Sequence, residues 1–129
     1  MTPVGLKAFK AELQRGRKRF RSIDLVGLDL RGLKLAGLDL SNADMWECNL
    51  EGVDLTHTIL HRTNLAGANL RRAVLVKAHL QGARLDGADV SLADFAEACL
   101  AEAEFWNVRG IGSASFREAD LTDVEGWGG

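Results

Sequence analysis

Apolar residues recur at every fifth position from Leu25 onward: Leu25, Leu30, Leu35, Leu40, Met45, Leu50, Leu55, Leu60, Leu65, Leu70, Leu75, Leu80, Leu85, Val90, Phe95, Leu100 and Phe105. With 47% of the chain apolar, seventeen such residues in fixed register arise by chance about once in 10⁵–10⁶ trials, so the period is real. A second column lies two residues before each of these centres. It runs Ile23, Leu28, Leu33, Leu38, Ala43, Cys48, Val53, Thr58, Thr63, and then alanine at every unit from Ala68 to Ala103. A period of five is neither the 3.6 of a helix nor the 2 of a flat strand. Residues two apart on extended backbone point the same way, and the other three steps must turn the chain so that the next pair points inward again. A short extended side followed by a corner, repeated, predicts a coil around an apolar axis whose successive layers pair backbone to backbone.

Two breaks bound the repeat. Residues 3–15 predict a helix, with Thr2 as N-cap, Pro3 in the first turn, Leu6, Phe9 and Leu13 on one stripe, and Gly16 as the stop. This helix is expected to cap the first coil. At the other end Ala114-Ser115-Phe116 and Ala119-Asp120-Leu121 resume the motif, but Phe116 lies eleven residues after Phe105 instead of ten. One residue is therefore inserted near Val108–Ser113, in a bulge or loop around Gly110 and Gly112. Phe116 and Leu121 join the expected core, and Val124 and Trp127 either cover the last coil or form half of a dimer interface. The expected organisation is 1–22 capping helix and basic linker, 23–107 uninterrupted repeat, and 108–129 register break, last repeats and C-terminal cap.

Individual units read Ala43-Asp44-Met45, Thr63-Asn64-Leu65-Ala66-Gly67, Ala68-Asn69-Leu70, Ala88-Asp89-Val90 and Ala93-Asp94-Phe95. This pattern resembles the pentapeptide-repeat family, over residues 23–105 without a gap. The resemblance implies an all-β fold: a right-handed quadrilateral β-solenoid with four units per coil and, here, a short N-terminal α-helical cap. About five coils follow, roughly 24 Å of stack at the strand spacing. Asp or Asn precedes the centre in ten of the seventeen units, and the departures are Lys34, Ile59, Val74, His79, Arg84, Cys99 and Glu104. Leu28-x-Leu30-x-x-Leu33 also suggests a leucine-rich repeat, but that repeat needs 20–29 residues per unit, which a sustained period of five rules against.

Charge changes the picture more than composition does. The net charge of −2 conceals blocks. Residues 1–21 hold seven cations against Glu12, residues 22–55 two against seven acids, residues 56–85 five and no acid, and residues 86–129 two against ten acids. Such segregation bears on partners rather than on fold. No apolar run approaches the roughly 20 residues of a membrane span, and no secretory h-region is visible, so a cytoplasmic location is expected. Cys48 and Cys99 do not suggest a disulfide framework: Cys48 belongs to the inward column and Cys99 to an outward one.

With four units per coil, residues twenty apart stack, which converts the sequence into a surface map. One outward column reads Val26, Trp46, Ala66, Asp86, Trp106, and aromatic anchors enrich at interfaces. Trp46 and Trp106 are candidate interface residues on this ground; local packing over neighbouring coils is the alternative. Val74 and Val76 form a second outward apolar strip. Arg62, Arg71, Arg72, Lys77 and Arg84 form a basic girdle that either meets an acidic or phosphate-bearing partner or is simply solvated. The run Arg15–Arg21 either contacts phosphate or pairs with the acidic first coils. His57, His61 and His79 fall near one corner with Cys99 beyond, but their spacing matches no metal motif, so no metal and no cofactor are expected. Thr58 and Thr63 point inward and are expected to bond local carbonyls.

No nucleophile motif, phosphate-cradling loop or HExxH is present, so the chain is expected not to be an enzyme. The leading expectation is a non-enzymatic protein-interaction or scaffolding module with an unidentified protein partner. An alternative comes from the resemblance: some members mimic duplex DNA, bind DNA gyrase and confer quinolone resistance, and dimerise through the C-terminal end. The basic girdle interrupts the continuous acidic face such mimicry needs. The second alternative is nucleic-acid binding through residues 15–21 and the girdle.

Overall fold

The structure, a computed structural model, describes residues 5–128. Among the described residues two helical elements stand in a stack of short extended segments: α1, Leu6–Gln14, and a 3-10 turn at Ile111–Ser113. The extended segments pair as single-residue parallel bridges between residues twenty apart, such as Asp24 with Asp44, Asp44 with Asn64, Asn64 with Arg84 and Arg84 with Glu104. Twenty residues hold four five-residue units, and the molecule is a β-solenoid.

The corners explain the unit. The N–H two residues before each centre donates to the carbonyl of the preceding centre, as in Leu28 to Leu25 at 3.1 Å and Ala43 to Leu40 at 3.0 Å. The residue two after the centre takes a positive φ, about 70° at Gly27 and Gly67 and about 60° at His57 and Leu92. A closed four-residue turn with positive φ at its third residue has the signature of a type II turn. Where an Asp or Asn precedes the centre, it completes the corner. In all ten units that carry one, a side-chain oxygen accepts the N–H of the residue after the centre, at 2.9–3.2 Å. That is the local bond by which Asp and Asn favour turns.

All seventeen centres from Leu25 to Phe105 are fully buried, and the column two residues earlier is buried from Leu38 to Ala103. Thr58 and Thr63 are buried too, but their hydroxyls reach further than expected. They donate to Leu35 and Leu40, carbonyls of the previous coil, at 3.0 and 2.8 Å. Cys48 Sγ contacts the Leu25 carbonyl oxygen in the same way. Polar atoms in this column therefore tie coil to coil.

The ends differ from expectation in three ways. Thr2 and Pro3 lie outside the described residues, and α1 begins at Leu6 with Gly5 as its N-cap. Gly16, at φ 86°, does stop the helix, its N–H meeting the Leu13 carbonyl at 3.0 Å. Residues 15–22 are not a plain linker. Phe20 is a fully buried centre, five residues before Leu25, and Arg19 already bridges Asp39. Phe9 of α1 packs edge-on to Phe20 with ring centroids 5.1 Å apart, which seats the helix on the first coil. At the other end the inserted residue falls where the spacing places it. Asp89 still bridges Arg109, whereas Asp94 bridges Ser115, with the 3-10 turn between. Phe116 and Leu121 are only half-buried, because no further coil lies beyond them among the described residues. Phe95, Phe105, Phe116 and Trp127 form an aromatic cluster here, Phe95 stacking on Phe116 at 4.8 Å and Trp127 meeting Phe116 edge-on at 4.8 Å.

Candidate functional site

The corners push the two residues after each centre outward, and these carry the chemistry of the surface. Trp46 and Trp106 stand 46% and 53% exposed in the predicted column. They do not form one patch. Three coils separate them, about 14 Å at the strand spacing, and half-buried Ala66 and Asp86 lie between. Asp86 takes an ion pair from Arg84 at 3.3 Å and the Trp106 backbone N–H at 3.3 Å, so the middle of the column is polar. Trp106 also lies over Gly126, where a Cβ would come within 2.8 Å of Cε3. Part of the Trp106 ring is thus local packing, although it is slightly the more exposed of the two. Leu92, 51% exposed, is a third large apolar side chain on the surface, which hydrophobic periodicity does not reveal.

Val74 and Val76 are half-buried. Val74 sits within the ladder between Asp54 and Asp94. The basic girdle does not converge. Arg71 pairs with Asp89 at 3.3 Å, and Arg84 with Asp86 and Glu104 at 3.3 and 3.1 Å. Arg62, Arg72 and Lys77 have no carboxylate partner among the described residues. They occupy the positive-φ position of three different corners, so they point away from one another.

Three of the five cations in the N-terminal basic run are committed. Arg15 pairs with Glu12 at 2.9 Å. Arg17 donates to the Arg19 carbonyl and lies 4.5 Å over the Phe20 ring. Arg21 pairs with Asp39 at 2.6 Å. Burial pushes the Asp39 carboxyl up, but hydrogen bonds from Ser41 and Arg21 more than offset it and bring its pKa down to about 2.

His61 and His79 meet edge-on at 6.0 Å, and His79 bridges Cys99. No group of three or more metal-ligating side chains exists among the described residues. Cys48 is buried, and that burial drives its thiol up to about 12, leaving it inert.

A groove that the sequence does not announce lies between α1 and the first coil. Leu13, Leu33 and Leu38 form its floor and Lys10, Arg17, Lys18 and Lys34 its rim. It depends on how the helix lies across the coil, and its one trace in the sequence is a lysine, Lys34, where the unit prefers Asp or Asn.

Residues 23–62 and 60–91 match the family model for pentapeptide repeats, in eight copies. The fold is similar to that of Rfr23, a pentapeptide repeat protein from the cyanobacterium Cyanothece 51142, with a TM-score of 0.63 and 24% identity over 94% of this chain and 95% of that one. A pentapeptide repeat protein of the Arabidopsis thaliana thylakoid lumen is similar at a TM-score of 0.50 and 26% identity, over 95% of this chain and 70% of that one. QnrB1, a plasmid-mediated fluoroquinolone resistance protein, is similar at a TM-score of 0.54 and 20% identity, over 82% of this chain and 64% of that one. No curated protein sequence is significantly similar to the chain.

Proposed function

The chain belongs to the pentapeptide-repeat family, and from that premise we propose that it is a non-enzymatic protein-interaction module working in the cytoplasm. In this reading the solenoid is right-handed, as the family resemblance implies, and four-sided and about five coils tall, as the twenty-residue bridge offsets support. The observation that carries the reading is Trp46, a large aromatic side chain held 46% exposed on a hydrogen-bonded scaffold. Rigid presentation of an amphipathic anchor lowers the entropy cost of binding. Repeat stacks offer extended surfaces of this kind.

Charge disfavours the two alternatives. A duplex mimic needs an unbroken acidic face, and Arg62, Arg72 and Lys77 put free cations around the middle of the stack. The likeness to QnrB1 bears on fold alone. Nucleic-acid binding needs a free basic arm, and the contacts of Arg15, Arg17, Phe20 and Arg21 leave little of one.

The test is affinity capture from the native lysate with nuclease present. A discrete protein is expected in the eluate, and Trp46→Ala is expected to abolish its capture while the far-UV CD spectrum stays intact. Trp106→Ala is expected to have the smaller effect, because its ring is partly engaged with Gly126. Capture that ignores Trp46→Ala removes the column as the contact, and gyrase subunits in the eluate would favour the DNA-mimic reading.

The reading includes a homodimer through the C-terminal end, where Phe116, Leu121, Val124 and Trp127 are half-buried on the last coil. Sedimentation equilibrium is expected to give a dimer that Leu121→Glu returns to monomer. A monomer at all concentrations excludes this part of the proposal.

A further inference from the structure

The groove between α1 and the first coil holds about 520 Å³, within the range of ligand-binding clefts. Its lining carries four cations and no acid. Arg17 is occupied by Phe20 and the Arg19 carbonyl. Lys10, Lys18 and Lys34 have no carboxylate partner among the described residues. The rim is thus a set of free positive charges above an apolar floor.

Lys34 is also where the ladder stops. Of the seventeen residues that precede a centre from Asp24 to Glu104, Lys34 is the one that enters no bridge. Position 14, twenty residues earlier, belongs to the last turn of α1 rather than to an extended segment. Below, the Lys34–Asp54 pair is unmade. The N–H and carbonyl of Lys34, which face the α1 side, have no backbone partner among the described residues; the N–H groups of Gly32 and Leu35 and the carbonyl of Leu33, which face the second coil, are unpaired as well, whereas the equivalent bonds one coil later, such as Leu55 to Val74 and Val74 to Val53, are formed. Gly32, Leu33 and Lys34 themselves line the groove. The unpaired N–H and carbonyl of Lys34 match the single-residue bridge by which each extended segment of the stack pairs with the next.

We propose that this groove binds an extended acidic peptide segment of a partner protein. The peptide backbone pairs with the N–H and carbonyl of Lys34, in the place a preceding coil would take. Alternate side chains of a strand point to opposite faces, so one set lies on Leu13, Leu33 and Leu38 while the carboxylates of the other meet Lys10, Lys18 and Lys34. A nucleic acid would satisfy the cations but neither the leucine floor nor the unpaired backbone groups. The inference extends the interaction-module reading to a second site, on the cap rather than on the tryptophan column.

The experiment is fluorescence anisotropy of a labelled, end-blocked hexapeptide that alternates aspartate and leucine, titrated with the full chain. Saturable binding is expected, weakening as salt rises. The double variant Lys10→Glu with Lys34→Glu is expected to lower affinity at least tenfold, and Lys77→Glu, away from the groove, less than twofold. N-methylation of a central peptide amide is expected to cost tenfold or more, and this arm needs no protein variant to fold. Absence of saturable binding, equal binding of a peptide with lysine in place of aspartate, or indifference to the methyl group overturns the proposal. Equal competition by a short oligonucleotide overturns it in favour of phosphate. Self-association that the peptide displaces overturns it in favour of a second copy of the chain. None of these readouts involves Trp46, so failure here leaves the tryptophan contact standing, and failure there leaves the groove standing.

Discussion

Gly110→Ala is expected to destabilise the chain by about 2–5 kcal/mol, made of roughly 1–2 for the left-handed backbone and 1–3 for overpacking. Gly110 occupies the register place of a centre, five residues after Phe105, but sends no side chain inward. It turns at φ 86° and ψ 11° into the 3-10 turn, and Ile111 is half-buried against the core instead. A Cβ on Gly110 would collide with Ser91 Oγ and come within 2.6 Å of the Ser91 nitrogen and 2.7 Å of its Cα. Ser91 cannot yield cheaply. Asp89 holds its N–H at 3.0 Å and its hydroxyl at 2.6 Å, and its carbonyl accepts from Arg72. The far side of the turn is fixed too: Ser113 Oγ accepts the Leu92 N–H at 3.0 Å and donates to the Gly110 carbonyl at 3.1 Å. Gly112 is the control, since a Cβ there meets nothing within 4 Å. Urea unfolding followed by CD should place Gly112→Ala within about 0.5 kcal/mol of the parent. Similar midpoints for the two variants would mean that the chain leaves the coil by another route.

The second large effect belongs to the middle of the stack. Leu65→Ala is expected to cost about 3–5 kcal/mol, the range for a core leucine whose cavity cannot collapse. Leu65 is fully buried between Met45 above and Leu85 below, in a column tied by the bridges of Asn64 to Asp44 and Arg84. Those bonds hold the coils at strand spacing, so neighbouring side chains cannot close the void. Leu121→Ala removes the same atoms at the half-buried last coil, and about 1–2 kcal/mol is expected. Such losses are a large share of the 5–15 kcal/mol that stabilises an ordinary domain. Unfolding free energies from chemical denaturation check the ratio. Equal losses at the two sites would mean that the stack transmits damage along its length instead of coil by coil.

The repeat was legible because every unit must bury its centre. Seventeen consecutive apolar residues at one spacing, all fully buried, leave little room for another geometry. The Asp and Asn that precede ten of the centres were legible as well, and the structure supplies the reason in the bond to the N–H two residues on. The positive-φ corner residue was half hidden: Gly27 and Gly67 declare it, but Leu92 and Arg62 adopt the same turn without a glycine. Phe20 escaped notice because arginines and lysines surround it, although it stands in register with Leu25. The tryptophan column could be aligned from spacing, yet the Asp86 ion pair that interrupts it depends on side-chain direction. The groove beside Lys34 had no motif to read, since helix placement and an unmade bridge create it.

Because the bridges up to Arg109 join residues twenty positions apart, the molecule tolerates changes of length in steps of one coil. A tandem duplication of twenty residues lengthens every column by one layer and leaves each in place. A deletion of five residues keeps the centres inward but rotates everything downstream by one column, so that acidic and basic blocks face new neighbours. The single added residue near Ile111 is absorbed only because it falls in a corner that leaves the ladder for one 3-10 turn. Lineages of such chains can therefore drift in length by whole coils while their surfaces are inherited intact, and slips of any other size redraw the surface in one event.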